Sequence, residues 1–277
     1  MTDFGFEILT VEQFRQYMQQ RREKDYRLVD VRQPEEYSRG HIPGAQLLPL
    51  AQLDADVSQL PSDQELVFYC HSGARSQAAA VIAADSNLPL KKIYSLSGGM
   101  MAWDGKQLTQ FPRLQVFEDS ETIAELMFKC MDLEKAALRF YLYVTEKYRG
   151  QPFIRTIEHL VKAEEAHARQ IYGFWKEEVD SPRPFEELFK QLSGEVLEGG
   201  KAFDAAVAAV EKINGRYCLN LLELALNIEY HAFDMYRTLA NRMENDVARQ
   251  AFLAIAQGEK GHMGVISRAI GQCPIPD

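Results

Sequence analysis

The sequence has few cysteines and no long apolar run, and both shortages exclude whole classes of protein. Its four cysteines are widely scattered, so no C-x-x-C pair is present and we expect no disulfide framework. No apolar segment is long enough to span a bilayer, and residues 1–14 lack the basic and apolar regions of a secretory leader. The net charge of -9 argues against nucleic acid or an acidic membrane surface as a partner. These features together favour a protein that is located in the reducing cytoplasm.

The chain has enough apolar residues to build two separate cores. Hydrophobic residues make up 46% of it, and a length of 277 residues suggests two domains. Short apolar runs alternate with helical patterns up to about Trp103, which predicts an α/β domain with a mostly parallel sheet over residues 1–105. Residues 106–119, of mixed polarity, are predicted to form a linker. Long helical periodicity then predicts an all-α four-helix bundle over residues 120–277.

Turn residues and apolar runs divide both domains further. In the first domain, Thr10 and Gln13 form a predicted capping box that begins a helix. In the second, the Pro- and Gly-containing stretch 180–201 is long enough to cross the bundle between its halves. The remaining predicted elements are strands at 26–31, 46–49, 65–69 and 92–96, a helix at 76–85, and a short helix near 185–192 within the crossing segment.

Two E-x-x-H motifs and two solitary upstream glutamates repeat at a fixed spacing in the second domain. Glu164 and His167 lie three residues apart, so on a helix both side chains project from one face. The same motif recurs 95 residues later, and each copy has a glutamate 30 residues before its own. The complete set of candidate metal ligands is Glu134, Glu164, His167, Glu229, Glu259 and His262.

Each acid in this set interrupts an apolar stripe of its helix. The stripe around Glu134, for example, contains Met127, Cys130, Ala137 and Tyr141 at heptad spacing. The competing interpretation is a solvated helix face, which would not fall on the apolar stripe four times. Acids that converge in an apolar interior need compensating cations, because an unpaired buried carboxylate is costly. We therefore expect two divalent metals, each near one histidine and bridged by shared glutamates.

Four further residues lie on these stripes, and each has two open interpretations. Tyr141 and Tyr236 each follow a candidate ligand glutamate by seven residues. Their hydroxyls either hydrogen-bond the ligand carboxylates or simply pack in the core. Cys130 and Cys218 are small core residues, or one of them relays sulfur or electrons between the domains.

The first domain carries a cysteine in a short loop between a buried strand and a helix. Backbone N–H groups of such a loop, with a helix N-terminus behind them, stabilise negative charge. The Cys70 thiolate is then favoured over the thiol, and the sulfur becomes a nucleophile. The alternative is a buried structural cysteine. The candidate active-site loop after Cys70 consists of His71, Ser72, Gly73, Ala74, Arg75 and Ser76, in which His71 either tunes the thiolate or lines the entrance.

Several segments of the first domain, including this loop, form a recognisable set of sequence motifs. They are the Cys70 loop, Leu28-Val29-Asp30-Val31-Arg32, Glu35-Glu36-Tyr37, Gly40-His41-Ile42-Pro43-Gly44-Ala45 and Gly98-Gly99-Met100-Met101-Ala102-Trp103. On these motifs, residues 6–105 resemble the rhodanese superfamily. The resemblance implies that Cys70 takes sulfur from a small donor such as thiosulfate or a persulfide, forms a persulfide, and yields it to a thiol or cyanide acceptor. Asp30 and Arg32 would support the loop, and His41 would cap a turn.

With its six candidate ligands, the stretch 120–271 resembles the rubrerythrin branch of the ferritin-like di-iron proteins. The resemblance implies two iron ions, or other divalent metals as isolated, that react with hydrogen peroxide or dioxygen. Full-length rubrerythrins also carry an iron centre with paired C-x-x-C motifs, which this chain lacks. Electrons must then come from an external donor such as a separate rubredoxin. Ala232 stands one turn after Glu229, so no seventh carboxylate ligand is evident, and the common pairing of such bundles suggests a homodimer.

These resemblances predict a rhodanese-type sulfurtransferase fused to a di-iron peroxidase or oxidoreductase that removes peroxide. Two alternatives remain open. In one, the bundle stores iron as a ferroxidase-like module, and the first domain delivers sulfur to a partner. In the other, the first domain is a redox sensor without turnover.

Overall fold

A five-stranded parallel sheet forms the centre of the first unit in the computed structural model, which describes residues 5–120 and 122–274. The strands are β1 (Glu7–Leu9), β2 (Tyr26–Asp30), β3 (Gln46–Leu47), β4 (Glu65–Tyr69) and β5 (Ile93–Leu96). They lie in the order β1-β5-β4-β2-β3, and every neighbouring pair is parallel. Every residue of β2 is buried, as expected for a sheet covered on both faces. The predicted parallel α/β fold is confirmed, and the edge strand β1 is an addition.

Helices cover this sheet and connect its strands. They are α1 (Val11–Gln20), α2 (Pro34–Arg39), α3 (Leu50–Ala55), α4 (Ala74–Asp85) and α5 (Gly99–Ala102). The predicted capping box at the start of α1 is confirmed, because the Thr10 hydroxyl accepts from the Gln13 N–H and the Gln13 side chain accepts from the Thr10 N–H. Beyond α5, Leu108 and His41 form an antiparallel bridge, so this part of the chain packs on the first unit. The first unit ends at Phe111 and the second begins at Pro112, within the segment 106–119.

Four long helices form the second unit, with a more elaborate crossing segment than the sequence suggested. In chain order its elements are α6 (Ile123–Lys147), α7 (Ile154–Trp175), α8 (Phe185–Gln191), β6 (Val196–Leu197), β7 (Lys201–Ala202), α9 (Phe203–Glu211), α10 (Tyr217–Arg242) and α11 (Asp246–Ile270). The helices α6 and α7 pack as one pair, α10 and α11 as another, and α7 contacts α11. The predicted helical bundle is confirmed. The short helix α8 appears where it was expected, followed by a β6–β7 hairpin and α9.

Apolar side chains fill the bundle on both sides of the predicted ligands. One cluster surrounds Met131 and Phe252, and the other surrounds Phe140 and Leu222. Along α6, Glu134 lies between residues of the first cluster and residues of the second. The candidate ligands therefore occupy a layer with hydrophobic packing at both ends. No helix in the described ranges is both long enough and apolar enough to cross a membrane.

A disulfide joins the two ends of the second helical pair. Cys218 and Cys273 are bonded, with their Cα atoms 5.7 Å apart. We expected no disulfide framework from the sequence and did not predict this single bond. Cys218 packs against the core as one interpretation expected, but in the disulfide it has no thiol with which to relay sulfur. Because α10 and α11 pack side by side as one pair, the start of α10 meets the residues just after α11, although 55 residues separate the two cysteines in sequence. Cys130 is free and fully buried.

Candidate functional sites

Cys70 follows β4, the central strand of the sheet, and its sulfur faces the start of α4. The residue is 1% exposed, and its Sγ accepts a hydrogen bond from the Gly73 N–H at 3.1 Å. Gly73 adopts a φ of +108°, which favours glycine and lets the loop turn back on the sulfur. Burial alone would raise the pKa of the Cys70 thiol, but hydrogen bonds from Ser76, Gly73 and Ser72 lower it below its ordinary value. The loop thus favours the thiolate form of Cys70, which is the form in which a cysteine can act as a nucleophile.

The turn into α5 is hydrogen-bonded to the backbone of this loop. The Met100 N–H donates to the Cys70 carbonyl at 2.8 Å, and the Met101 N–H donates to the His71 carbonyl at 2.9 Å. Gly99 has a φ of +51°, and a Cβ there would lie 2.2 Å from the Cys70 carbonyl oxygen. A side chain at position 99 would push the loop away. The double glycine therefore sets the position of Cys70.

Asp30 and Arg32 form a buried ion pair at the end of β2. The Arg32 guanidinium donates to both oxygens of Asp30, with a shortest distance of 2.7 Å. The same guanidinium donates to the Gly40 carbonyl at 2.7 Å. The pair therefore ties the segment after β2 to the segment before β3.

His41 packs against the end of α2. Its ring nitrogen Nδ1 lies 3.2 Å from the Tyr37 carbonyl, and the imidazole ring stacks on the Tyr37 ring.

A cleft of about 380 Å³ opens beside the loop. Arg75 donates two hydrogen bonds to Glu36, at 2.7 and 2.8 Å, and this pairing lowers the pKa of Glu36 to about 2. His71 is exposed and lines the entrance. The wall of the cleft contains the guanidinium groups of Arg32, which is paired with Asp30, and of Arg39. The lining residues are Arg32, Glu36, Arg39, Gly40, His71, Met100 and Gln107.

The six candidate ligands of the second unit converge in the interior of the bundle, and none is more than 8% exposed. His167 Nδ1 lies 2.8 Å from a Glu259 oxygen, 3.6 Å from a Glu134 oxygen and 3.8 Å from a Glu164 oxygen. These four residues come from α6, α7 and α11. They define one position in which a cation would be surrounded by three carboxylates and an imidazole.

A second position lies beside His262. Its Nδ1 is 2.9 Å from a Glu229 oxygen, 3.2 Å from a Glu259 oxygen and 3.8 Å from a Glu164 oxygen. Glu164 and Glu259 thus approach both histidines, whereas Glu134 and Glu229 each approach one. The two imidazole rings stack with their centroids 4.9 Å apart. The arrangement has two shared acids and two separate ones, as a dinuclear site requires.

The carboxylates of this cluster lack enough donors. Glu134 Oε2, both oxygens of Glu164 and both oxygens of Glu259 have no hydrogen-bond partner in the part of the chain that the structure describes. Burial and the repulsion of Glu229 and Glu259 raise the pKa of Glu164 well above its ordinary value. Burial would lower the pKa of His262, but its hydrogen bond to Glu229 and the negative charges of Glu229 and Glu259 beside it raise that pKa to about 10. Carboxylate oxygens and imidazole nitrogens that are buried, lie close together and lack hydrogen-bond partners fit a pair of metal ions as ligands.

Two tyrosines donate hydrogen bonds to this cluster, each from the opposite helical pair. The Tyr236 hydroxyl on α10 donates to Glu134 on α6 at 2.5 Å. The Tyr141 hydroxyl on α6 donates to Glu229 on α10. Burial raises the pKa of both tyrosines, so both remain donors at neutral pH. Each hydroxyl holds the orientation of one carboxylate.

A further acid, which neither periodicity nor motif marks, also lies in the cluster. Glu198 is 3% exposed and occupies the turn between β6 and β7. Its carboxylate lies with those of Glu134, Glu164 and Glu259, all within 4.8 Å of one another. Position 232 is alanine, as the sequence analysis noted, and the additional carboxylate comes from the crossing segment rather than from α10. An acid followed by two glycines was the available signal.

Residues 10–106 match the family of rhodanese-like domains, and residues 220–274 match the rubrerythrin family. A sulfurtransferase from Allochromatium vinosum is 38% identical over 80 residues, which cover 29% of this chain and 73% of that protein. The thiosulfate sulfurtransferase GlpE from Pseudoalteromonas translucida is 32% identical over 81 residues, which cover 29% of this chain and 75% of that protein.

Another relative and a solved structure match the same region. The putative sulfur carrier protein YrkF from Bacillus subtilis is 33% identical over 98 residues, which cover 35% of this chain. The match takes in 51% of that relative, so the chain spans about half of its length. The crystal structure of a rhodanese-like domain protein from Staphylococcus aureus matches with a TM-score of 0.34 and 23% identity, covering 38% of this chain and 99% of that one.

Proposed function

Since the chain belongs to the rhodanese-like family and carries a rubrerythrin domain in its helical unit, we propose that it combines two reactions. Cys70 accepts and donates a sulfane sulfur, and a di-iron centre in the bundle reduces hydrogen peroxide or dioxygen. The main support for the first reaction is the hydrogen bond from the Gly73 N–H to Cys70 Sγ. The main support for the second is the set of buried carboxylate oxygens without donors.

Sulfur transfer by Cys70 requires a thiolate and a place for a small anionic donor. The thiolate attacks the outer sulfur of thiosulfate, the sulfur–sulfur bond of the donor breaks, and sulfite leaves with the electron pair. Cyanide then removes the outer sulfur from the Cys70 persulfide as thiocyanate, and the thiolate returns. The loop N–H groups hold the negative charge on sulfur before and after each step. The guanidinium group of Arg39 in the wall of the cleft attracts the donor.

A thiosulfate:cyanide assay tests this reaction. We expect thiocyanate formation by the wild type and none by Cys70→Ser, whereas Cys130→Ser serves as the control because that thiol is fully buried in the other unit. Mass spectrometry of the thiosulfate-treated protein should show one added sulfur atom on Cys70. Equal rates in the wild type and Cys70→Ser would remove Cys70 from catalysis.

The bundle supplies the ligands for the second reaction. Glu134 and His167 would hold one metal ion, Glu229 and His262 the other, and Glu164 and Glu259 would be shared. When bound, a pair of iron ions supplies electrons and open coordination positions for the reduction of peroxide or dioxygen. Tyr141 and Tyr236 keep two of the carboxylates oriented, and the apolar clusters at both ends of the layer limit access of water.

Metal analysis with an optical spectrum of aerobically reoxidised protein tests the centre. Two irons per chain with oxo-bridge absorption are expected, and zero or one would contradict a dinuclear site. Turnover of peroxide with an external reductant, such as a reduced rubredoxin, would identify an enzyme. Stoichiometric loading of iron without turnover would instead identify a store.

We place both reactions in the cytoplasm, where a free Cys70 thiol is maintained. The Cys218–Cys273 pair provides the test, because a reducing compartment keeps most such pairs open. Alkylation of thiols in freshly lysed cells should trap the pair largely reduced. A fully formed disulfide at that moment would contradict this location.

A further inference from the structure

The β6–β7 hairpin inserts an acid into the bundle. Val196 pairs with Ala202 and Leu197 pairs with Lys201, so Glu198 lies at the tip with two glycines. Leu197 is fully buried, and β6 packs on α6, which carries Glu134. The tip of the hairpin therefore points into the ligand layer rather than into solvent.

The chain on either side of Glu198 is held firmly in place. Before the hairpin, the Gly194 N–H donates to Asp132 on α6 at 2.8 Å, and Arg139 donates to the Gly194 carbonyl at 2.7 Å. After Glu198, a Cβ on Gly199 would lie 2.5 Å from the Cβ of His231 on α10, so that residue must be glycine. These contacts fix the tip between α6 and α10. Contacts on both sides of Glu198 therefore determine its position.

Burial of another acid among carboxylates is unfavourable unless a cation compensates for it. Glu198 Oε1 has no hydrogen-bond partner among residues 5–120 and 122–274, and the residue is 3% exposed. Glu134, Glu164 and Glu259 are its neighbours in the cluster, and each is itself an acid. A glutamine would fill the same space without charge. A charged carboxylate at this position is therefore unfavourable in the metal-free protein and becomes favourable beside a cation.

We propose that Glu198 is a fifth carboxylate ligand of the metal centre, directed to the position beside Glu134 and His167. This proposal rests on the proposed dinuclear centre. It makes the two positions unequal, because the position beside Glu229 and His262 receives no equivalent acid in the part of the chain described here. Carboxylate oxygens are hard ligands. The richer position should therefore hold the more highly charged or harder ion of a mixed pair.

Titration of metal-free protein with cobalt(II) tests the assignment, because the visible spectrum of cobalt(II) reports its coordination number. The variant Glu198→Gln keeps shape and removes charge. The control Glu195→Gln makes the same chemical change at an exposed residue three positions earlier. We expect two cobalt ions in the wild type and in the control. In Glu198→Gln, one of the two ions should bind at least about tenfold more weakly, since even residues that only support ligands commonly contribute that much.

Thermal unfolding of the metal-free variants separates a ligand from a structural residue. If Glu198 serves as a ligand, Glu198→Gln relieves repulsion, so the metal-free protein should melt at a higher temperature and the increase on adding cobalt(II) should shrink. A structural role predicts the opposite sign, a lower melting temperature without metal. Two ions bound by Glu198→Gln with unchanged affinities and spectrum would overturn the role of Glu198 and leave the dinuclear centre standing. Failure of the wild type to bind two ions would overturn both.

Discussion

Two glycines of α11, three residues apart, should respond to alanine in different ways. A Cβ on Gly258 would lie 2.2 Å from His167 Nε2 and 2.8 Å from its Cε1, whereas a Cβ on Gly261 meets no described atom within 4 Å. Both positions are inside the helix, where alanine is favoured over glycine by about 1 kcal/mol. The helical gain is therefore common to both variants. The displacement of the His167 ring is specific to Gly258→Ala.

The size of the effect follows from the contact distances. Non-bonded heavy atoms prefer separations of about 3.5–4 Å, so the His167 ring must move by more than about 1 Å. Such a shift takes its Nδ1 out of reach of Glu259, from which it now lies at 2.8 Å. If metal affinity falls about tenfold, the stabilisation by metal at about 100 times the wild-type Kd falls from about 2.7 to about 1.4 kcal/mol. This loss cancels the helical gain.

Calorimetric titration with cobalt(II) and denaturant unfolding, each with and without metal, measure both effects. Gly261→Ala should be more stable than the wild type under both conditions and should bind metal with unchanged affinity. Gly258→Ala should bind at least one ion more weakly, and its stability with metal should be close to that of the wild type. Equal affinities in the two variants would refute the inference that the space beside Gly258 positions His167.

Four other results are expected. Tyr236→Phe removes the hydroxyl that donates to the Glu134 carboxylate, a proposed ligand, so titration should show metal affinity about 10–100-fold lower, and an unchanged Kd would argue against that role. The lowered pKa of Cys70 predicts that its alkylation by iodoacetamide reaches half its maximal rate at a lower pH than that of an ordinary thiol. Ser76→Ala removes a hydroxyl that donates to the Gly73 carbonyl and helps to lower the pKa of Cys70, so it should move this midpoint to higher pH; a fixed midpoint would exclude the hydroxyl as a cause. Reduction of the Cys218–Cys273 disulfide reopens a loop of 55 residues and should lower the free energy of unfolding of the helical unit by up to about 4 kcal/mol. Superimposable denaturant curves with and without reductant would contradict this.

Local periodicity was sufficient to predict which acids and histidines of the long helices share a helix face. An acid and a histidine three residues apart share a helix face in any context, so Glu164 with His167, and Glu259 with His262, were predictable before the fold was known. The same holds for the strand at 65–69, whose apolar run predicted where Cys70 emerges. The predicted strands at 26–31 and 92–96 differ from the observed ones by a single residue at one end.

Features that depend on distant parts of the chain were not predictable in this way. The hairpin that carries Glu198 has strands of two residues each, too short for any periodicity. The spacing of Tyr141 suggested a contact with a carboxylate. Its partner, however, is Glu229, 88 residues away, because the relevant geometry is the packing of one helical pair on the other. The pairing of Cys218 with Cys273 was hidden for the same reason.

The crossed tyrosine hydrogen bonds make the two repeats of the bundle dependent on each other. One repeat in isolation would keep a hydroxyl without its acceptor and a carboxylate without its donor. A single helical pair therefore lacks half of these hydrogen bonds, and both bonds form only when the two pairs pack together. Substitutions in either repeat should then be felt at both ends of the centre, and the two copies must change together over evolutionary time.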